Sequence, residues 1–142
     1  IVDENMQTNI SGVFACGNVA HIHDLVDYVT QESVLAGKKA AKYVIGKIRI
    51  KKKKIMIVAG DNINYVLPQS ISKKSKDKIN IFFRVSEPMR SAKIIINADG
   101  KKIKSIKKKR LAPGEMERVK LTKEILENTK KNITIDGVKK IK

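Results

Sequence analysis

Gly12-Val-Phe-Ala-Cys-Gly-Asn18 joins an apolar run to a glycine and a polar side chain shortly before a helical pattern begins. A glycine at a strand end lets another group, here a ligand, approach the backbone closely. Such a bend, followed by a helix start, turns backbone amides and the positive end of the helix dipole toward an electron-rich ligand. Units of this kind are common, so the pattern defines a geometry and not yet a chemistry. Nearby, His21-Ile-His23-Asp24 has the residue types of a metal site. Two histidines at i, i+2 and one aspartate supply too few ligands for a specific signal, so no metal is expected. The competing reading places His21 and His23 along a cofactor or substrate channel. Asp24 and Asp27 are read as solvated or capping residues, since work as a base needs a pocket. Cys16 has no second cysteine to resolve a redox step and reads as a small residue in a buried strand.

Periodicity supplies the elements that have to hold these residues. Residues 12–16 read as a short apolar strand and residues 21–28 as a loop or first turn. A helix is expected over residues 30–45, with Thr30 as its N-cap. Ser33, Ala36, Gly37, Ala40, Ala41 and Val44 repeat at the three-and-four spacing of one helical face. A stripe of such small side chains lets a helix lie very near a sheet or another backbone. Gly46 suits a C-cap, and the Lys-rich residues 47–54 suit an exposed linker or strand entry.

From about residue 55 the period changes to two. Ile63, Tyr65 and Leu67 alternate with polar neighbours, Ile79, Ile81, Phe83 and Val85 do so most cleanly, and Ile94, Ile96 and Ala98 follow. Asp99-Gly100 is a two-residue hairpin signal before a strand over 101–107. Pro113-Gly114 marks a further turn, Val119 and Leu121 alternate, one helical turn is expected over 122–127, and a last strand over 132–136. Six to eight short strands point to a small antiparallel β-sandwich, immunoglobulin-like in form but without the Cys pair and Trp of antibody domains. The expected division is 1–46, a linker 47–54, and a basic β domain 55–142.

Composition narrows the classes. The 142 residues are 42% hydrophobic but 4% aromatic with no Trp, so the expected core is aliphatic. No apolar run approaches the length of a membrane span. The chain opens on Ile1 without Met or a basic-then-apolar leader, so a fragment without an export signal is expected. A single cysteine excludes an internal disulfide framework and fits a reducing cytoplasm. The net charge of +17 falls entirely within residues 51–142, because the first 50 residues carry five basic and five acidic groups. Such a field favours acidic partners or nucleic acid. Lys, however, far outnumbers Arg there, and Tyr65, Phe82 and Phe83 are the available aromatics. Base and phosphate recognition leans on Arg forks and stacking rings, so the charge reads mainly as solvated surface and nucleic acid is not the expected partner.

Thr8-Asn-Ile-Ser-Gly-Val-Phe-Ala-Cys-Gly-Asn18 resembles the C-terminal flavin-contacting motif of the thioredoxin-reductase-like flavoproteins. These are the FAD- and NAD(P)-dependent pyridine nucleotide oxidoreductases with two dinucleotide domains. Their pattern is Thr-Ser/Asn-x-x-Gly-Ile/Val-Tyr/Phe-Ala-x-Gly-Asp, and type and spacing agree at Thr8, Gly12, Val13, Phe14, Ala15 and Gly17. The likeness covers about residues 1–45. It implies that these residues are the strand-loop-helix remnant of a Rossmann-type FAD domain, making the chain an α+β fragment. It also implies that Asn18 meets the ribityl hydroxyls of FAD, with Gly17 and Val19 giving backbone contact. Thr30 and Gln31 then offer helix-start amides to the N1–O2 edge of the isoalloxazine. The family's acid is Asn18 here, which keeps hydrogen bonding and loses charge.

Neither Gly-x-Gly-x-x-Gly phosphate loop occurs in the 142 residues, so the implied NAD(P)H chemistry lies upstream and the chain alone is expected to be inactive and to bind FAD poorly. Residues 21–29 resemble bacterial members linked with glycerol-3-phosphate or amine oxidation. With no Cys-x-x-Cys, this implies electron delivery to a partner rather than thioredoxin reduction. The expected partners are the upstream dinucleotide domains, a redox protein and a second copy, with no membrane. The alternative function is a non-enzymatic basic β module that binds an acidic protein or nucleic acid.

Overall fold

A computed structural model describes residues 1–48, 54–73, 75 and 78–139. The chain is α+β, with most of its regular structure in two sheets. After a 3₁₀ turn at Gly17–Val19 comes helix α1 (Val26–Val44). The strands are β1 (Lys54–Ala59), β2 (Ile63–Leu67), β3 (Ser70–Ser72), β4 (Ile79–Val85), β5 (Met89–Ala98), β6 (Lys101–Leu111), β7 (Glu117–Leu121) and β8 (Asn132–Lys139). A short helix α2 (Lys123–Asn128) joins the last two. Five strands pair in the order β3-β1-β8-β5-β6, and three in the order β2-β4-β7.

The alternating strands bury one side as their period demands. In β4, Ile79, Ile81, Phe83 and Val85 are all buried, and between them the chain is half exposed. They meet Ile55, Ile57, Ile94, Ile96, Ile133 and Ile135 of the other sheet in one core. Phe83 is the one aromatic ring among its described buried members, so the core is aliphatic as composition predicts. The β5–β6 hairpin turns at Asp99 and Gly100, whose φ angles of 49° and 82° are both left-handed. That is the two-residue turn whose twist matches its strands. The Asp99 carboxylate also accepts hydrogen bonds from the amides of Lys130, Lys131 and Asn132, tying the hairpin to the entry of β8.

Three expectations change. The strands are not all antiparallel, because β1 and β8 run parallel in the register Met56↔Asn132 to Ala59↔Ile135. These two come from opposite ends of the β unit, so no hairpin forces their direction and the whole intervening unit serves as the crossover. Residues 12–16 form no regular strand, and no Rossmann remnant is visible. A strand needs a ladder partner, and here a lone bridge from Phe14 to Gln7 is all that is provided. Helix α1 starts at Val26, preceded by Leu25 without a side-chain cap, so Thr30 is not an N-cap. Its hydroxyl instead donates to the Val26 carbonyl, 3.1 Å away, inside the helix. Most of the expected linker, residues 49–53, lies outside the described residues, and β1 begins at its last position.

Residues 1–45 lie against the β unit. The carbonyl of Val2 accepts from the amides of Gln69 and Ser70, and Asp3 forms a parallel bridge with Ser70, so this stretch covers the open edge at β3. Val2, Met6, Ala36 and Leu67 make a second small core, with Ala15, Cys16 and Ala20 around it. Of the small-residue stripe on α1, Ala36 is buried there, whereas Ser33, Gly37, Ala41 and Val44 stay exposed.

Candidate functional site

Two histidines and a glutamate meet where α1, the turn before it and strand β4 come together. His21 and His23 are two apart in an extended stretch, which points both rings to the same side. The rings pack at 4.1 Å, centroid to centroid, and His21 lies against Phe82 and Tyr65. Glu32 arrives from α1, on the same face as buried Ala36 one helical turn later. His21 Nε2 donates to Glu32 Oε2 at 2.8 Å, and His23 Nε2 is 3.2 Å from the same oxygen but outside hydrogen-bonding geometry. The imidazoles are 1% exposed. The second carboxylate oxygen, Oε1, accepts the Gly17 amide at 2.7 Å.

A buried carboxylate is costly unless its charge is met. Burial pushes the Glu32 carboxyl upward, but the hydrogen bonds from His21 and from Gly17 N–H, with the His21 charge, hold it below the ordinary range. The cluster also forms one wall of a cavity of about 650 Å³, lined by His23, Tyr28, Gln31 and Glu32 on one side and by Asp3, Met6, Lys54 and Phe82 among others on another. Lys39, Lys42 and Lys78 stand around it.

Asp24, grouped with the histidines in the sequence, is turned to a different task. Its carboxylate pairs with Arg84 of β4 and accepts the Met116 amide. Arg84 further donates to Tyr65 Oη at 3.1 Å, the Pro113 carbonyl at 3.2 Å and the Ile22 carbonyl at 3.0 Å. Burial raises the Asp24 carboxyl, but the Met116 amide and Arg84 outweigh it and lower the pKa. The pair is therefore a clamp between the His-bearing segment and the β unit.

The residues assigned to a flavin are placed as follows. Gly17 is buried with φ at 66°, and its amide is spent on Glu32 while its carbonyl accepts Ala20 and His21 amides. Both backbone groups of Gly17, expected to contact a flavin, are thus engaged within the chain. Asn18 and Val19 stand exposed on the adjoining 3₁₀ turn. Thr30 and Gln31 lie in the body of α1, where amides are used by the helix itself, so they are not helix-start donors. Gln31 lines the cavity, whereas Asn18, Val19 and Thr30 do not. Glu32 is the functional candidate that the sequence pattern missed. Its sole signal is the i, i+4 spacing to Ala36 on the packed face.

Scans against protein-family models and searches of curated proteins and of solved structures return no match to this chain. No helix among the described residues is long and apolar enough to cross a membrane.

Proposed function

We infer that the chain is the C-terminal part of a cytoplasmic FAD-dependent NAD(P)H oxidoreductase, with residues 1–45 closing one edge of the flavin site. The β unit, an immunoglobulin-like sandwich in this reading, serves docking or assembly. One observation carries it beyond the resemblance. Of 15 exposed large hydrophobic residues described, 11 fall within residues 1–45, including Val19 at 81%, Val26 at 75% and Val44 at 82% exposure. These side chains, like the open small-residue face of α1, are left uncovered by the β unit. A concentration of exposed apolar side chains in one segment favours a partner for that segment. In this reading its partner is the remainder of the FAD domain, and the exposed Asn18–Val19 turn stands at the cofactor's edge. Upstream residues supply the phosphate loops and the nicotinamide site.

The intact polypeptide from the full reading frame, purified and reconstituted with FAD, tests this reading by its visible spectrum. A yellow protein bleached by NADH or NADPH is expected. A colourless polypeptide overturns the assignment.

A second reading is favoured by β6. This edge strand reads Lys-Lys-Ile-Lys-Ser-Ile-Lys-Lys-Lys-Arg before Leu111, is exposed over most of its length, and presents cations at an open sheet edge. Charged side chains guard such edges against unwanted strand pairing. They also suit an acidic redox protein or a nucleic acid. Oligonucleotide binding that falls steeply with salt would favour nucleic acid through counterion release.

A further inference from the structure

Three imidazole nitrogens in the His21–His23–Glu32 cluster are buried without a hydrogen-bond partner: Nδ1 of His21 and both nitrogens of His23. Folded proteins leave few such atoms bare, and each one asks for a water, a ligand or an ion. One donor atom from each of the three residues lies within 4.8 Å of the others. We propose that His21, His23 and Glu32 bind a Zn²⁺ ion.

The donor set fits. Two imidazoles and one carboxylate are a three-ligand zinc set that keeps a fourth position for water. Imidazole donors disfavour Ca²⁺ and Mg²⁺, which take oxygen ligands. Glu32 Oε2 lies 2.8 Å from His21 Nε2 and 3.2 Å from His23 Nε2. Ligand atoms of a tetrahedral zinc with bonds of about 2.0–2.1 Å stand roughly 3.3 Å apart. The His23–Glu32 edge already has that spacing, and lengthening the His21–Glu32 edge by about half an ångström reaches it, with one hydrogen bond exchanged for coordination. His23 Nε2 then gains the partner it lacks. The Gly17 amide on Glu32 Oε1 fixes the carboxylate from behind, as outer contacts do at metal sites. His23 and Glu32 also line the cavity, which puts the fourth position on the side that water reaches. The proposal is independent of the flavin reading, and either can fail alone.

The test is titration of the full 142-residue chain with Zn²⁺ and with Co²⁺ as a spectroscopic probe. Saturable 1:1 binding is expected, with visible Co²⁺ bands of tetrahedral intensity. Affinity should fall by more than about tenfold in His21→Ala, His23→Ala and Glu32→Gln, since loss of an outer contact already costs that much. Asp27→Asn should bind as wild type does, because Asp27 is exposed in the first turn of α1. Should a ligand variant not fold, ¹⁵N spectra of the wild-type imidazoles decide, with Zn²⁺ expected to shift both Nε2 resonances. No saturable binding by the folded chain, unchanged affinity in the folded ligand variants, or unmoved Nε2 resonances would overturn the proposal.

Discussion

Arg84 reaches Asp24, Ile22, Tyr65 and Pro113 from one guanidinium. Arg84→Ala removes all of these and leaves the Asp24 carboxylate facing the protein without its cation. A loss of about 2–3 kcal/mol is expected in denaturant unfolding, since hydrogen bonds to charged groups contribute about 1.5–3 kcal/mol each and Asp24 stays partly solvated. Residues 1–45 should become protease-sensitive before the β unit does. Glu32 sets an acid limit. Its folded pKa lies below the ordinary 4.5, so folding favours the ionised form. That stabilisation is complete above the ordinary value and is lost as pH falls through the folded value. Unfolding free energy should therefore drop below about pH 4.5, and Glu32→Gln should flatten that limb. Asp24 adds to the same limb, with the same sign. At this scale the sequence showed the histidines but paired them with the wrong acid. Proximity in sequence favoured Asp24, whereas the helix brought Glu32 across eleven residues.

Among the elements, the strands with clean alternation were legible: β4, β5, β7 and β8 sit where period two puts them, because one face of each is buried in a shared core, whereas in β2 an irregularity between Ile63 and Tyr65 sends Val66 to that core and Leu67 to the smaller one. β3 was not, being three residues long, and the start of β1 is hidden in the Lys-rich run. The N-terminal boundary of α1 was misplaced because it has no polar cap to announce it. The turn between β1 and β2 carries a further prediction. A Cβ on Gly60 would lie 1.8 Å from Asp136 Oδ1 and 2.7 Å from Thr134 Cγ2. Asp136 cannot easily retreat, because Oδ1 accepts the Asp61 amide and Oδ2 accepts from Asn97. Gly60→Ala should cost about 2 kcal/mol or more by overpacking, with Tm falling accordingly. Gly114→Ala, with open space around it, should stay within about 0.5 kcal/mol of wild type.

Over the whole molecule the charge is lopsided, +17 in all, and like charges face each other across the β5–β6 ladder at Lys93↔Lys107 and Arg90↔Arg110. Directly opposed like charges destabilise a ladder. Raising the ionic strength to about 0.15 M, where screening acts over about 8 Å, should lift Tm by about 2–5 °C. A fall on adding salt would show that attractive pairs such as Lys108–Glu117 outweigh the repulsion. The chain alone should show no saturable flavin binding at micromolar concentration, since it contains one edge of the implied site. The contact between residues 1–45 and the β unit has its own consequence. It is built from an added backbone bridge, a small apolar core and an ion-pair clamp, all of them noncovalent. A covalent link between units that already fit one another acts by raising local concentration, on the order of millimolar for a short flexible tether. Two separately made polypeptides, residues 1–48 and 54–142, should find each other when mixed, and the reassembled pair would behave as a split protein.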